Sequence, residues 1–571
     1  MASNADVAEM FRTIADLLDL LGEKFKPEAY RRAARSIESL TEDLRAVAAR
    51  HELRSIPGVG DAIADKIDEY LRSGSLGYFE KLKREVPPGL VELMRLPGVG
   101  PKTTRRFWVE LGVEGPSELR DAVAAGRLVG MKGFGEKKIE LVRAALAEAA
   151  VGAGSIRRPI GEVYPIARSL VAALTASSGV DRVEVAGSFR RARETVGDLD
   201  VLVTTRDPSR AFEAFTAHPL VAEVKMRGDT KETVLLKGGF QVDLRVVKPG
   251  EFGSALLYFT GSKDHNVHLR SLARERGLKV NEYGIFREEE RLAGATEEDV
   301  YAALGLSWIP PELREDRGEI ERAAKGPSPP VVAEGDLRGD LHVHLDGPAG
   351  PDAVDLLRET ARRRGYGYVG VVVGWVDPDR TVRTLSAATR ERLSTTPPAP
   401  VRFLRGVEAA TGDLPPELGR LAADYRILRP HPGERAPDPS ALAGTVRLIA
   451  HAGASTAPDP AALAGWVEVA RKLRSAVEVG PGPERLDSIG ARQAREAGVA
   501  LHVPTGLLAP DDDATRPVAL GFARRAGASP SDVVNARSEP ELSSERPAAK
   551  GPPKGRSPGP PRSTRAKARP A

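Results

Sequence analysis

Two acids two residues apart at the head of an apolar run constrain this chain more than any other feature. In Gly197-Asp198-Leu199-Asp200-Val201-Leu202-Val203, strand spacing puts Asp198 and Asp200 on one face and Leu199, Val201 and Val203 on the other. Residues 183–185 read as an earlier strand, broken at Gly187-Ser188 where a helix begins. Backbone amides at a helix start, with a small hydroxyl, suit the oxygens of a triphosphate. A third strand over residues 240–247 carries Asp243 opposite Val242, Leu244 and Val246. Three acids aimed at one surface repel each other, and divalent cations relieve that repulsion. Two oxygen-ligated ions about 3.5–4 Å apart can activate an attacking hydroxyl and neutralise a leaving pyrophosphate. The pattern predicts a nucleotidyltransferase core that uses two Mg²⁺ or Mn²⁺ ions.

Upstream of that core a repeat appears. Ile56-Pro57-Gly58-Val59-Gly60 recurs as Leu96-Pro97-Gly98-Val99-Gly100, with a looser copy at Met131-Lys132-Gly133-Phe134-Gly135. Each resembles a helix-hairpin-helix motif, whose glycines let the backbone turn tightly and bring amides against a phosphate. Such contacts grip nucleic acid without reading sequence. In that family a monovalent cation often bridges the hairpin to the DNA backbone. Lys102, Arg105, Arg106, Lys137 and Lys138 follow the hairpins at phosphate-reaching positions. Ahead of the first hairpin, Val7, Met10, Phe11, Ile14, Leu17, Leu18 and Leu21 fall at helical steps.

A chain of 571 residues is too long for one core and suggests three to five domains. With no cysteine, disulfides, thiol chemistry and Cys-type zinc sites are excluded. The formal charge is only +4, so the placement of basic residues matters more than their total. No long apolar run or signal-like leader is present, which predicts a cytoplasmic, nucleoid-associated protein with no membrane contact.

Taken together, residues 1–315 resemble the family X DNA polymerases, the small repair class that includes polymerase beta. Gly-Ser-Phe-Arg-Arg followed by Asp-x-Asp matches the palm of that family, and Tyr258-Phe259-Thr260-Gly261-Ser262 its thumb signature. Without the family, that second stretch reads as an apolar strand ending in a turn. The resemblance implies a multidomain α/β chain: helical hairpin domains, a mixed α+β palm and thumb, and a further C-terminal domain. The expected boundaries are a lyase-like DNA-binding domain over 1–85, a fingers-like hairpin domain over 86–154, the palm over 155–250 and the thumb over 251–320. It also implies roles. Asp198, Asp200 and Asp243 would bind the metals, and Asp243 would help remove the primer 3′-hydroxyl proton. Gly187, Ser188 and Arg191 would hold the triphosphate. Tyr258 and Phe259 would lie against the deoxyribose, beside Thr260, Gly261 and Ser262, with Asn266 and Arg270 facing the nascent pair. Glu282 and Tyr283 complete the match. Tyr30 and Lys66 fall where the lyase domain places a DNA-contacting tyrosine and a Schiff-base lysine able to eliminate a 5′-deoxyribose phosphate. A second lysine of the eukaryotic lyase helix is Ala62 here. The implied partners are gapped or nicked DNA and deoxynucleoside triphosphates, acted on by a monomer.

A Pro-rich linker over 321–335 leads to Gly339-Asp340-Leu341-His342-Val343-His344. Beyond it, helices near 352–364 and 381–393 alternate with strands over 369–373 and 401–404, suggesting a barrel of parallel strands with its site at their C-terminal ends. His-x-His at a strand end resembles the first motif of a polymerase-and-histidinol-phosphatase (PHP) domain, placed here over 336–540. That resemblance implies a three-metal Mn or Zn cluster, with matching positions at His342, His344, Glu408, His431 and His451. Four of the family's ligand positions differ: Pro348-Ala349-Gly350, Val373-Gly374 and Pro504-Thr505-Gly506 stand in their places, with His502 nearby. Two expectations stay open, a metal-dependent 3′→5′ exonuclease or a DNA-positioning scaffold. Two wider readings stay open as well: a chain that is mainly a nuclease, or a DNA-end-binding scaffold with minor polymerisation. Residues 541–571 read as a disordered basic tail, with eight Lys/Arg and no acid from Arg546 onward.

Overall fold

A mixed five-stranded sheet forms the centre of the chain. The computed structural model describes residues 4–38, 44–73, 76–94, 99–131, 157–345, 351–377, 381–395, 401–409, 415–421, 423–430, 436–439, 446–450, 460–482, 485–508 and 513–539, most of 134–146, and Leu542. In that central sheet the strand Asp198–Thr205 lies between Val180–Val185 (antiparallel) and Gln241–Val246 (parallel), and Lys231–Leu236 and Val221–Arg227 continue the far side. Leu199, Val201, Val203, Val242 and Leu244 are buried, as their alternation requires. The register sets Asp200 directly beside Asp243.

Residues 4–146 build a helical body on one continuous apolar cluster, from Val7 to Leu146. The two hairpin segments on either side of residue 85 therefore share a core. The reason is visible in the first helix, Asn4–Leu21, which packs on both Lys26–Glu38 and Pro101–Leu111. Each hairpin buries its fourth residue: Val59, Val99 and Phe134 are plugged into that core. The backbone repeats too, with Val59 N donating to Ile56 O and Phe134 N to Met131 O, both at 2.9–3.0 Å.

Residues 258–260 are helical, as the last turn of Phe252–Thr260, and do not form a strand. Seven of that helix's nine residues are buried, so an all-apolar run carries no face to betray its period. Gly253 has no room for a side chain: an added Cβ would meet the Thr296 backbone at 2.1 Å. The thumb core (Leu269, Ile285, Val300 and Tyr301 among others) closes beneath it. Glu297 ties the region together, receiving bidentate pairs from Arg190 (2.7 and 2.9 Å) and from fully buried Arg314 (2.6 and 2.9 Å).

The C-terminal strands form a nearly closed parallel sheet in chain order, from Gly339–Val343 to Leu501–His502. Its two end strands do not pair. Asn535 bridges the seam, donating to Gly339 O (3.0 Å) and Val503 O (2.8 Å). Residues 382–384, expected to be helical, form an antiparallel strand on Gly374–Val376, and the helix begins at Ala387. The β-branched Val382 and Thr384 favour that pairing. The linker is pinned, with Val332 buried and hydrogen-bonded to Ala528. A single apolar cluster runs from the palm helix Ile160–Ala176 through this C-terminal domain.

Candidate active site

Most of the predicted nucleotide site lines one cleft of about 400 Å³, between the palm sheet and the thumb helix ends. Gly187, Ser188, Arg191, Asp198, Asp200, Tyr258, Phe259, Thr260, Gly261, Asn266 and Arg270 all face it. Gly187 is required there twice over: its φ is +66°, and an added Cβ would sit 3.1 Å from Asp200 Oδ2. Two cations that the sequence did not single out join the lining, Arg157 and Lys263. Ser262 does not line the cleft; it caps the helix Lys263–Glu275 by accepting from His265 N. Asn266 donates to Tyr258 O at 2.7 Å, fixing the turn between the two thumb helices.

The acids behave as a crowded anionic group. Burial, then Asp198 and Asp243, push the Asp200 carboxyl up to about 7. Asp198 is raised for the same reasons, burial first and Asp243 second. Asp243 departs from the expected picture of an open carboxylate. It is buried: Oδ1 accepts from Thr233 (2.7 Å) and Gln241 (3.2 Å), and Oδ2 pairs with Lys231 Nζ at 2.6 Å. The all-oxygen donors suit hard divalent cations, and the upward push on the Asp200 carboxyl fits a site short of positive charge.

Arg191 lines the cleft but is already engaged. Its Nε donates to Glu315 Oε1 at 2.9 Å, and its Nη1 donates to Thr260 O. Burial lowers its pKa. Arg191 thus holds the wall of the cleft, a role that the motif alone did not suggest.

In the helical body, Gly60, Gly100 and Gly135 each have open space where a Cβ would stand, and Lys102 is exposed. Gly98 and Gly133 lie outside the described residues. Arg106 pairs with Glu110 (2.6 Å) and Lys138 sits 4.4 Å over the Phe134 ring. Tyr30 is buried against Phe11 and Tyr78, so it packs in the core where a DNA-facing side chain was expected. Lys66 donates to Ala62 O at 3.0 Å and lies 5.0 Å from the centre of the Tyr78 ring.

At the C-terminal ends of the barrel strands, His342, His344 and Glu408 form a group whose ligand atoms lie within 4.8 Å of one another. His431 and His451 lie outside the described residues. The sequence reading missed Glu478 and Asp340. His342 Nδ1 meets Glu478 Oε2 at 2.8 Å, and Nε2 meets Glu408 Oε2 at 2.8 Å. His502 approaches Asp340 (3.1 Å) and Glu478 (3.3 Å). Guanidinium groups compensate both glutamates, Arg429 on Glu408 (3.1 Å) and Arg485 on Glu478 (2.6 Å). Burial works against the charged imidazolium, yet Glu478 and Glu408 push His342 up to about 10. Pro348, Ala349 and Gly350 lie outside the described residues, and the other two departed ligand positions are filled. An added Cβ at Gly374 would lie 2.6 Å from both Leu418 and Leu421, and Thr505 donates to Asp340 through N (2.8 Å) and Oγ1 (2.6 Å). Among the described residues, His342, His344 and Glu408 are a donor set that fits one ion.

Comparison with known proteins follows the same division. Residues 157–240 match the DNA polymerase beta palm and 255–315 the DNA polymerase beta thumb. Residues 2–76 match a helix-hairpin-helix domain and 90–148 a SAM-like helix-hairpin-helix tandem. A DNA polymerase/3′-5′ exonuclease PolX of Bacillus subtilis (strain 168) is 35% identical over 393 residues, 68% of this chain and 67% of that protein. DNA polymerase lambda of Rattus norvegicus is 28% identical over 347 residues, 55% of this chain and 56% of that one. DNA polymerase lambda of Arabidopsis thaliana is 24% identical over 348 residues, 54% and 62% respectively. This chain therefore spans a little more than half of each lambda polymerase. No helix among the described residues is long and apolar enough to cross a membrane.

Proposed function

The chain belongs to the family X DNA polymerases, and we propose that it fills short gaps in DNA under repair, joining a deoxynucleotide to a primer 3′-hydroxyl with release of pyrophosphate. The observation that carries this is the single cleft in which Asp198 and Asp200 meet the thumb residues Tyr258 to Gly261. Asp198, Asp200 and Asp243 would hold two Mg²⁺ or Mn²⁺ ions, which supply neutralisation of the triphosphate and a lowered pKa for the primer hydroxyl. The chain's own residues do the rest. Thr233, opposite on the neighbouring strand, and Gln241, two residues earlier on the same strand, orient Asp243. Ser188, Arg157 and Lys263 present a hydroxyl and two cations to the phosphate end of the cleft. The edge of the Tyr258–Phe259 pair, with ring centres 5.1 Å apart, would bound the sugar and exclude a 2′-hydroxyl. Open glycine turns in the helical body would grip the flanking duplex through phosphates, and a monovalent cation could bridge that contact.

A second activity is supported by His342, His344 and Glu408. They would bind one Mn²⁺ or Zn²⁺ and cleave a 3′-terminal phosphodiester, the reaction named for the Bacillus relative. Lys66 would act as the Schiff-base amine of a deoxyribose-phosphate lyase. The domain boundaries proposed are those read from the sequence, with 1–154 acting as one DNA-gripping body. The test is a gapped, 5′-phosphorylated duplex given to wild type, Asp198→Ala, His342→Ala and Lys66→Ala. Extension should vanish in Asp198→Ala and persist in His342→Ala. Equal extension by wild type and Asp198→Ala would reject the polymerase site.

A further inference from the structure

We propose that Arg525, contributed by the C-terminal domain, is a positioning residue for the nucleotide cleft; the inference rests on the polymerase reading of that cleft. Arg525 ends the helix Thr515–Arg525, and its side chain is only 4% exposed. One nitrogen, Nη1, donates both to Glu315 Oε1 (2.7 Å) and to the backbone carbonyl of Arg191 (3.2 Å). The same Glu315 oxygen accepts from Arg191 Nε, and Arg191 Nη1 donates to Thr260 O. A continuous strut thus runs from Arg525 through Glu315 and Arg191 to Thr260, the last helical residue before the Gly261 turn. Arg191, Thr260 and Gly261 all line the cleft. Gly261 is seated against the strut, since an added Cβ would lie 3.1 Å from Arg191 Nη1.

The contact between the two domains is close and polar. At Gly521 an added Cβ would lie 2.8 Å from the Ala192 methyl, so the helix rests directly on the residue that follows Gly-Ser-Phe-Arg-Arg. Ser488 donates to Glu194, and Arg524 forks onto Glu312 at 2.6 and 3.3 Å. Arg525 therefore acts twice. It holds the residue 191 backbone directly, and it orients the carboxylate that aims the Arg191 guanidinium at Thr260. Without it, the wall against which a deoxynucleotide sits can shift, and small displacements in such walls weaken productive binding strongly. On this account the C-terminal domain serves polymerisation through its seat on the palm, whatever its own metal chemistry.

The experiment is single-nucleotide gap filling by the full chain at saturating Mg²⁺, with the deoxynucleotide titrated, for wild type, Arg525→Gln, Arg525→Lys, Glu315→Gln and the Gln/Gln double variant. Arg525→Gln should raise the deoxynucleotide KM about tenfold while kcat changes less than about twofold, as expected for a lost charge-assisted contact that acts on binding. Arg525→Lys should recover most of the loss, because an ammonium can still reach Glu315. The double variant should be no worse than the more impaired single one, since both cut one strut. Gapped-DNA affinity should not move, as the hairpins contribute nothing to these contacts. An unchanged KM in Arg525→Gln would overturn the inference alone. So would a fall in kcat and melting temperature at constant KM, the mark of a merely structural role. No extension by wild type would overturn the polymerase reading and this inference with it.

Discussion

Replacing Asp200 by Asn should stabilise the metal-free protein while destroying primer extension. The carboxyl of Asp200 is pushed up to about 7 by burial, with Asp198 and Asp243 adding to it. For an acid whose folded pKa lies above its unfolded value, the native state holds the proton more tightly. Stability therefore falls as pH rises from about 3.8, and the full cost is present above about 7. A displacement of about three units corresponds to about 4 kcal/mol at most. Solvent in the open cleft screens part of that, so about 1–2 kcal/mol is the expected gain for Asp200→Asn at pH 8. Urea denaturation in chelator at pH 5 and pH 8 would read it: the gap between variant and wild type should widen with pH. Saturating Mg²⁺ should then raise the stability of wild type at pH 8 more than at pH 6, and scarcely affect the variant, because binding a ligand to the native state shifts its stability by mass action. A stability gap independent of pH, or equal Mg²⁺ stabilisation of both proteins, would refute the crowded-carboxylate account.

Other substitutions test separate parts of the structure. Glu297→Ala strands buried Arg314 and partly buried Arg190, and should cost about 3–5 kcal/mol in denaturant unfolding. Gly187→Ala forces a side chain into a left-handed backbone beside Asp200, and should lower extension at least tenfold with little change in gapped-DNA affinity. His342, pushed up to about 10 by its two glutamates, contributes stability that is complete below about pH 6.5 and is lost as pH rises through 10. His342→Gln should flatten that dependence in metal-free denaturation, and calorimetry in two buffers should show that Zn²⁺ or Mn²⁺ binding to wild type releases protons. Lys66→Ala should abolish borohydride trapping of a 5′-deoxyribose-phosphate substrate while leaving gap filling intact.

The palm was readable because its period is short and its contrast sharp. Acid at 198 and 200 against Leu199 and Val201 admits one strand face, and Gly187-Ser188 marks the helix start. Lys231 was invisible for the complementary reason. Its pairing with Asp243 depends on the register between two strands, in which Thr233 stands opposite Asp243 and Lys231 one step further along the same face. A local pattern carries no such information. The hairpin glycines were legible as turns, but not that Asn4–Leu21 would join both hairpin segments into one core, because helix packing is a long-range choice. Tyr258-Phe259-Thr260-Gly261-Ser262 misled for a different reason: it holds only the last turn of the helix Phe252–Thr260, too short a piece to show a period.

In the C-terminal domain the acids at the strand ends are paired with residues that no motif marks. His-x-His and Glu408 survive and are visible in the sequence. Arg429, Arg485 and Thr505 are ordinary residues there, yet each donates to one of the acids that line the strand ends. A buried carboxylate needs a cation beside it or a proton on it. Glu408 and Glu478 have found histidine and arginine, and burial notwithstanding, their carboxyls are held well below the usual range. An ion bound there would displace protons from the histidines and compete with guanidinium groups for the same oxygens. The fold does not depend on that outcome. Asn535 closes the seam, a continuous apolar cluster fills the barrel, and the helix ending at Arg525 stays seated on the palm. The contacts that seat this domain on the palm are therefore separate from its candidate metal ligands.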